Sequence, residues 1–561
     1  MIGRKHRGAG AVLALTLAAG LVGSAPAALA ADRVDVPIGS KARKPEPLPP
    51  GDRIELSLDR AIELSLRNTL DLEVASYTYE RAAFGIGSAQ GAFDPYVQLD
   101  VSASRTKAPV VSTFQAGETK RQTLNASVGQ FLPTGGSYTL GWANTRTDAP
   151  TGFTTINPSY SSGLTGSAVQ PLLRNFGPKV NRRFVVLARL ARDSSAYDFV
   201  RSLQLTVQSV ENAYWDLVYA IENLAAKQEA LARAKDLNRI TRIKIDVGAL
   251  APIDIVQTEV TIAQREQDII LAEGLIGDAD DRLKRLMNVT ALPDWSRPII
   301  PSDHPTADPF TVDLDAGIKR ALETRPEVKQ SVLDIESKKV TLAYTRNQLL
   351  PRLDLNGSLG YNGIGTGRYT SCVDGVGNPV SCGDTGAIPI TSNTSYVDAL
   401  YSIRRLDFPS WTVGLTLNVP IGNRTARANH AIAGADLELS RTNLALTREN
   451  LVVEVRAAAR GIDTAFRSVA AARKARELAE RNLDAERKKY ENGMTTSFQV
   501  AQIQNDLTTA RTNELQAIAV YVKSIAAWHK AIGDILPARN ISVTGIPVTL
   551  DATPPEEGGV R

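Results

Sequence analysis

Hydrophobic and polar positions change period several times along this chain, and the changes recur in the same order. Amphipathic segments open at Leu58-Asp59-Arg60-Ala61-Ile62 and at Leu314-Asp315-Ala316-Gly317-Ile318, 256 positions apart. The same offset of 256 carries Pro95 onto Pro351, and the two-residue alternation Tyr96-Val97-Gln98-Leu99-Asp100 onto Arg352-Leu353-Asp354-Leu355-Asn356. Further on, Val169-Gln170-Pro171-Leu172 matches Asn418-Val419-Pro420-Ile421 at an offset of 249, and Gly248 matches Gly493 at 245. The 561 residues therefore read as one unit written twice, an internal two-fold sequence repeat, rather than as several unrelated domains.

Each half predicts a shorter helix, strands, a very long helix, a tight turn at glycine and a return helix. No proline lies between Pro178 and Pro252 or between Pro420 and Pro537, and Ala, Leu, Arg, Glu and Gln dominate both stretches. Val210, Tyr214, Leu217, Ile221, Leu224, Gln228 and Leu231 recur at alternating spacings of four and three, a coiled-coil seam. A helix of about 65 to 70 residues spans on the order of 100 Å, far beyond what a compact domain needs and enough to cross a periplasm.

The strands alternate apolar against small polar, with no charged face. Val97, Leu99, Val101 and Ala103 oppose Gln98, Asp100, Ser102 and Ser104, and Trp411, Val413, Leu415, Leu417 and Val419 oppose Thr412, Gly414, Thr416 and Asn418. A soluble sandwich also alternates. The flanking Phe93, Tyr96, Tyr160, Tyr361, Phe408 and Trp411 favour a membrane barrel with aromatic girdles. Such a barrel must close, and the segments near 95–104, 161–170, 352–362 and 410–420 are too few to do so alone. Three chains with four strands each close a 12-stranded barrel over 12 helical strands. Residues 123–132 and 137–145 also alternate around Pro133-Thr134-Gly135-Gly136, a hairpin. It either joins the sheet, giving six strands per chain and 18 per trimer, or packs inside or above a 12-stranded barrel.

Composition fixes the compartment. Arg4, Lys5 and Arg7 precede an apolar run from Ala11 to Val22 and the small residues Ala28-Leu29-Ala30, a secretory signal with cleavage expected before Ala31. No later apolar run reaches the length of a spanning helix, and no cysteine follows the cleavage site to carry a lipid anchor. The net charge of +4 falls close to neutral once those three basic residues are removed, so nothing argues for nucleic acid. Cys372 and Cys382, the two cysteines of the chain, bracket a Gly-, Ser-, Thr- and Asn-rich stretch; in an exported protein they read as a disulfide, with a metal site the weaker alternative. His6, His304, His430 and His529 are scattered, Gly363-Ile364-Gly365-Thr366-Gly367 lacks phosphate-loop spacing, and Met287 and Met494 are too few for a methionine relay. No catalytic residue, metal site or cofactor is expected, and the chain is not expected to be an enzyme.

The order of the duplicated Leu-Asp-x-x-Ile openings, Gln170-Pro171-Leu172-Leu173, the Val247-Gly248 turn, the turn at Tyr490-Glu491-Asn492-Gly493 and the closing Ala527 to Gly533 resembles the TolC family of outer-membrane efflux proteins, from about Ile54 to Ile535. The resemblance implies a mixed α and β membrane protein: a trimeric outer-membrane β-barrel continuous with a long periplasmic α-helical coiled-coil barrel. It implies a homotrimer in outer-membrane lipid that receives substrates from a periplasmic adaptor (membrane fusion) protein and an inner-membrane pump of resistance-nodulation-division or ABC type, as the exit duct of a tripartite efflux or type I secretion system. On that reading residues 1–30 are signal, 31–53 a Pro-rich linker, and 54–91, 92–171 and 172–288 the short helix, strands and helical hairpin of the first repeat. Residues 289–313 are a linker, 314–348, 349–421 and 422–535 the same three parts of the second repeat, and 536–561 a tail.

By the same resemblance, the tips Val247-Gly248-Ala249-Leu250 and Asn492-Gly493-Met494-Thr495 form the periplasmic mouth and the adaptor contact. The family's gate-closing links fall on Asp254, Tyr490 and Thr495, and its constricting aspartate rings on Gln499 and Gln502. Thr495 stands where the family pattern has an arginine, and the two glutamines replace carboxylates. A mouth held by neutral hydrogen bonds is therefore expected. The rival readings are a structural envelope protein or trimeric adhesin with a coiled-coil stalk, which would not require the duplicated order, and a periplasmic adaptor, which has one hairpin rather than two.

Overall fold

A computed structural model describes residues 48, 51–112, 115–150, 157–366, 368–376, 378–381, 384–393, 395–541 and 543; the expected signal and most of both tails lie outside them. The chain runs through β1 (Ile54–Leu56), α1 (Leu58–Asn68), α2 (Leu70–Gln90), β2 (Tyr96–Lys107), β3 (Glu118–Phe131), β4 (Ser137–Asp148) and β5 (Ser159–Pro171). A single turn, α3 (Pro178–Asn181), leads into α4 (Arg183–Asp246) and the return helix α5 (Ile253–Leu286). After α6 (Leu292–Trp295) and β6 (Ile299–Pro301), the second half follows with α7 (Leu314–Thr324), α8 (Pro326–Asn347) and β7 (Arg352–Thr366). An outer loop carries β8 (Arg368–Val373), β9 (Pro379–Val380), β10 (Ile388–Asn393) and α9 (Tyr396–Arg404); β11 (Pro409–Asn418), α10 (Arg424–Glu491), α11 (Ser497–Ala531) and α12 (Ile535–Ala538) complete it.

The short helix expected in each half is two helices. α1 ends at Thr69 and α7 at Arg325, both in extended backbone, and each of these residues also caps the next helix. In the second half Pro326 enforces the break, since it suits a first helical position and disfavours a helical residue before it. These junctions are stitched to the ends of the return helices. Thr69 Oγ1 donates to the Leu286 carbonyl at 2.5 Å and Asn288 Nδ2 to Asn68 O at 2.9 Å, while Arg325 Nη1 donates to Lys530 O at 2.7 Å and Thr324 Oγ1 to Ile532 O at 3.1 Å. α2 thus continues the line of α5, and α8 that of α11. Each pair lies along one long helix, α4 with 64 residues or α10 with 68, giving four helical strands, of which the two unbroken ones are about 100 Å long and the two composite ones shorter.

The segment 289–313, expected as a linker, supplies β6, which pairs in parallel with β1 and closes a belt around the helices. Its core gathers Ile54, Leu56, Leu64, Tyr214, Leu217, Leu283 and Ile299. Within it Tyr214 Oη donates to Asp303 Oδ2 at 2.8 Å, and burial pushes its phenol well above the usual range. The coiled-coil seam starts as expected with Val210, Tyr214 and Leu217, then shifts to Ala226, Ala230, Ala234 and Leu237, leaving Gln228 exposed. Alanine lets α4 approach its neighbours closely there, and Leu224 and Leu231 of the expected seam are half-buried in the single chain.

All six long strands form one antiparallel sheet in the order β11-β7-β5-β4-β3-β2, so the hairpin β3–β4 lies in the sheet and not above it. One ladder row runs Val97, Val128, Leu140, Gly166, Leu359, Trp411; the adjacent row runs Gln98, Ser127, Gly141, Thr165, Gly360, Ser410. Alternation therefore survives across all six strands as an apolar face and a small-polar face. The first row joins the lower end of β2 to the upper end of β11, the stagger that tilted barrel strands require. The apolar face is uncovered over its greater part, with Val97 at 78% and Trp411 at 75% exposure.

Two of the expected girdle aromatics lie elsewhere. Tyr96 falls on the polar face, its ring lying over Gly129, where an added Cβ would come within 2.6 Å of it, and Phe93 stacks on Phe131 on that same side at 5.8 Å. Alternation itself puts Tyr96 with Gln98 and Asp100; the girdle expectation rests on aromatic residues flanking the strand and not on the face they take.

Candidate functional site

The two helical tips are built alike. In the first, Val247 N–H donates to Ile243 O at 3.1 Å, Gly248 to Ile245 O at 2.9 Å and Ala249 to Lys244 O at 2.8 Å, around Gly248 at φ 77°. In the second, Asn492 donates to Lys488 O at 3.2 Å, Gly493 to Tyr490 O at 3.0 Å and Met494 to Lys489 O at 2.9 Å, around Gly493 at φ 75°. Both are left-handed glycine C-caps that use up the last helical carbonyls. Val247 and Met494 project into solvent, at 73% and 78% exposure, while Leu250 turns inward onto a small core of Leu237, Tyr490, Val500 and Ala501. Asn492 and Thr495 flank that second turn, and Thr496 caps α11 by accepting the Gln499 N–H at 3.3 Å.

Of the expected gate residues, Tyr490 is fully buried, and its partners lie on α4. The hydroxyls of Thr241 and Tyr490 are 2.7 Å apart, and the Lys244 ammonium sits 4.2 Å over the Tyr490 ring while bonding the Tyr490 carbonyl and, at 3.3 Å, that of Glu491. Asp254 faces this cluster but makes no side-chain hydrogen bond among the described residues. Burial raises the Tyr490 phenol; the Thr241 hydroxyl opposes the shift and the Asp254 charge adds to it. Thr495 is turned to Glu486, and its hydroxyl, followed by Lys489, holds that carboxyl below the usual range.

Gln499 and Gln502 lie on one exposed face of α11, followed at helical spacing by Asp506, Thr509 and Asn513. Gln502 Nε2 donates to Asp506 Oδ1 at 3.2 Å. Asp506 and Asn513 border an open, alanine-lined groove between α10 and α11 that also includes Ala465, Ala472 and Ala475. Deeper, the buried Arg265 of α5 donates to Asn505 Oδ1 at 2.9 Å and pairs with Asp268 at 3.1 Å, fastening one hairpin to the other. Two features went unseen in the sequence. Thr241 and Lys244 carry no local signal, whereas Asp506, four residues after Gln502, follows from continuing the helical stripe one turn.

At the other end of the sheet, α9 lies on the apolar face. A Cβ on Gly363 would meet the Ala399 carbonyl oxygen at 2.0 Å, and one on Gly365 would meet that of Ser395 at 2.2 Å, so both positions require glycine. Tyr396 Oη donates to the buried Asn144 Oδ1 at 2.6 Å, which also accepts from Ser162 Oγ at 2.6 Å, and the Tyr160 and Tyr396 rings meet edge-on at 6.2 Å. α9 thereby covers polar groups that the apolar face would otherwise expose. Cys372, in the same outer loop, is buried and disulfide-bonded; Cys382 lies outside the described residues. Among the described residues no cluster of metal-ligating side chains occurs, and no helix is long and apolar enough to cross a membrane.

A one-faced apolar sheet continuous with two long helical hairpins is the architecture of an outer-membrane channel protomer, not of an enzyme. The chain belongs to the outer membrane efflux protein family, whose pattern matches residues 61–289 and 317–534. It is 22% identical over 381 residues to Nodulation protein T of Rhizobium leguminosarum bv. trifolii, covering 67% of this chain and 73% of that one. Its fold is similar to the Campylobacter jejuni CmeC outer membrane channel (TM-score 0.60, 18% identity, 85% of this chain and 86% of that one). It is also similar to the outer membrane protein VceC of Vibrio cholerae (TM-score 0.59, 15% identity, 85% and 96%).

Proposed function

We propose that three copies of this chain assemble into a continuous duct, an 18-stranded outer-membrane barrel above a tube of 12 helical strands, formed by duplication of one strand-and-hairpin unit. The observation that carries this is the single sheet in which all six long strands, including β3 and β4, present one apolar and one small-polar face. Lipid tolerates no unpaired edge, so β2 and β11 must each pair with a neighbouring copy. Barrels of 16 to 18 strands leave an aqueous channel. The polar face, with Gln98, Ser127, Thr165 and Ser358, suits a water-filled lumen.

The duct receives substrates at its helical end from an inner-membrane pump, of resistance-nodulation-division or ABC type, through a periplasmic adaptor. Val247-Gly248-Ala249-Leu250 and Asn492-Gly493-Met494-Thr495 are the adaptor-contact tips, on the strength of their matching caps and exposed apolar side chains. Gln499, Gln502 and Asp506 line the mouth, where three-fold repetition turns them into two neutral rings and one acidic ring. Asp254, Tyr490 and Thr495 border it. In the outer loop, Cys372 pairs with Cys382. Planar-bilayer recording of the purified protein tests the reading: a stable aqueous conductance is expected, and a protein that inserts without conducting would overturn it.

A further inference from the structure

We propose that the outer rim of the sheet and α9 together form a docking collar for phosphorylated glycolipid headgroups of the outer leaflet; this rests on the barrel reading above. The register places Arg105 and Lys107 of β2, Lys120 of β3 and Arg146 of β4 on the apolar face, directly beyond Val97, Leu99, Val101 and Ala103. These positions change from aliphatic to basic where the strands leave the apolar band. On the polar face at the same level, Ser104, Thr106, Thr119 and Thr147 are neutral and Arg121 is the one charge, so the basic residues concentrate on the side that meets lipid.

The carboxylates on this surface do not neutralise it. Glu118 is shared among Arg105 at 2.6 Å, Lys120 at 3.4 Å and Lys107 at 4.0 Å, and Asp148 accepts from Asn157 at 2.9 Å. α9 adds to the same face. Asp398 is taken up in capping its N-terminus, Asp407 follows its C-terminus, and Arg404 and Arg405 are exposed there without ion-pair partners among the described residues. Beside them Val397, Tyr401, Leu406 and Phe408 are all more than half exposed. A helix with apolar and aromatic side chains turned outward and arginines at its end, seated at the edge of an apolar band, is an interfacial anchor. Basic side chains at a membrane surface attract anionic headgroups, and a phosphorylated glycolipid supplies both the charge for the arginines and the acyl chains for the band below. The collar would repeat three times around the assembly.

Purified protein in phosphatidylcholine nanodiscs, with or without bis-phosphorylated lipid A, provides the test. Native mass spectrometry counts retained lipid A, and planar-bilayer conductance is measured on the same preparations. The wild type is expected to retain lipid A, to lose it in 1 M salt, and to retain the dephosphorylated lipid poorly. A variant with Arg105→Gln, Lys120→Gln, Arg146→Gln, Arg404→Gln and Arg405→Gln is expected to bind lipid A roughly tenfold more weakly or worse, with conductance unchanged. Equal retention by wild type and variant, or equal retention of the phosphorylated and dephosphorylated lipids, overturns the collar while normal conductance leaves the channel standing. Loss of conductance in the wild type itself would instead sink the channel reading.

Discussion

The hydroxyls of Thr241 and Tyr490, 249 positions apart in sequence, lie 2.7 Å from one another inside the tip of the helical bundle. This contact joins the first hairpin of the chain to the second just above both glycine turns. It is uncharged and fully buried, so opening the tips requires breaking a dry hydrogen bond and dislodging the Lys244 ammonium from the Tyr490 ring and carbonyl.

Tyr490→Phe should loosen the tips by about 1 kcal/mol, the usual net value of such a bond plus part of the cost of stranding the Thr241 hydroxyl. Hydrogen exchange in the last turns of α4 and α10 should accelerate severalfold. Thr241→Val combined with Tyr490→Phe should cost less than the sum of the two single changes. Additive effects would mean the two hydroxyls do not act as a pair.

The tips should also respond to alkali. The fold raises the Tyr490 phenol, so its contribution is complete below the ordinary tyrosine value of about 10 and is lost as pH climbs through the higher folded value. Tip exchange measured between pH 6 and 9 should follow only the intrinsic chemical rate, then rise further at higher pH in the wild type but not in Tyr490→Phe.

Acid should act on the belt instead. His529 packs edge-on against Phe310 at 5.7 Å, and burial lowers its imidazole, with Asp534 and Glu211 opposing that shift and Arg539 and Arg320 reinforcing it. A lowered value means stability that is present above the ordinary histidine range, about 6.5, and lost as pH falls through the folded value. Thermal unfolding at pH 5 should therefore begin earlier than at pH 7.5, and His529→Phe should reduce the difference.

At the mouth, Gln502→Asp should increase preference for cations, because three added carboxylates would sit one turn from Asp506. Asp506→Asn should reduce that preference. Reversal potentials in a salt gradient report both, and unchanged values in both variants would remove this face of α11 from the constriction.

Much of the fold was legible because its signals are periodic. Proline-free length, two-residue alternation and paired glycines are local properties, and they located both hairpins, all six strands and the two tips. The register of β3 and β4 within the sheet was left open because alternation says which face a residue takes but not which strand is its neighbour. α9 was missed for a different reason: it sits in a Gly- and Ser-rich loop and is fixed by the absence of side chains at Gly363 and Gly365 on another strand. The Thr241 partner of Tyr490 was equally hidden, since nothing in a helical stripe identifies what another helix 249 positions away presents to it. Of the residues expected at a gate, Tyr490 meets Thr241 and Thr495 is turned to Glu486.

The central claim is that each chain contributes six strands to a shared, closed wall. A density map of the purified assembly in lipid measures this directly. It should show three chains, 18 strands with β3 and β4 between β2 and β5, and β2 of one copy paired with β11 of the next. A 12-stranded wall with the β3–β4 hairpin lying outside it, or an assembly whose β2 and β11 edges remain unpaired, would contradict the account.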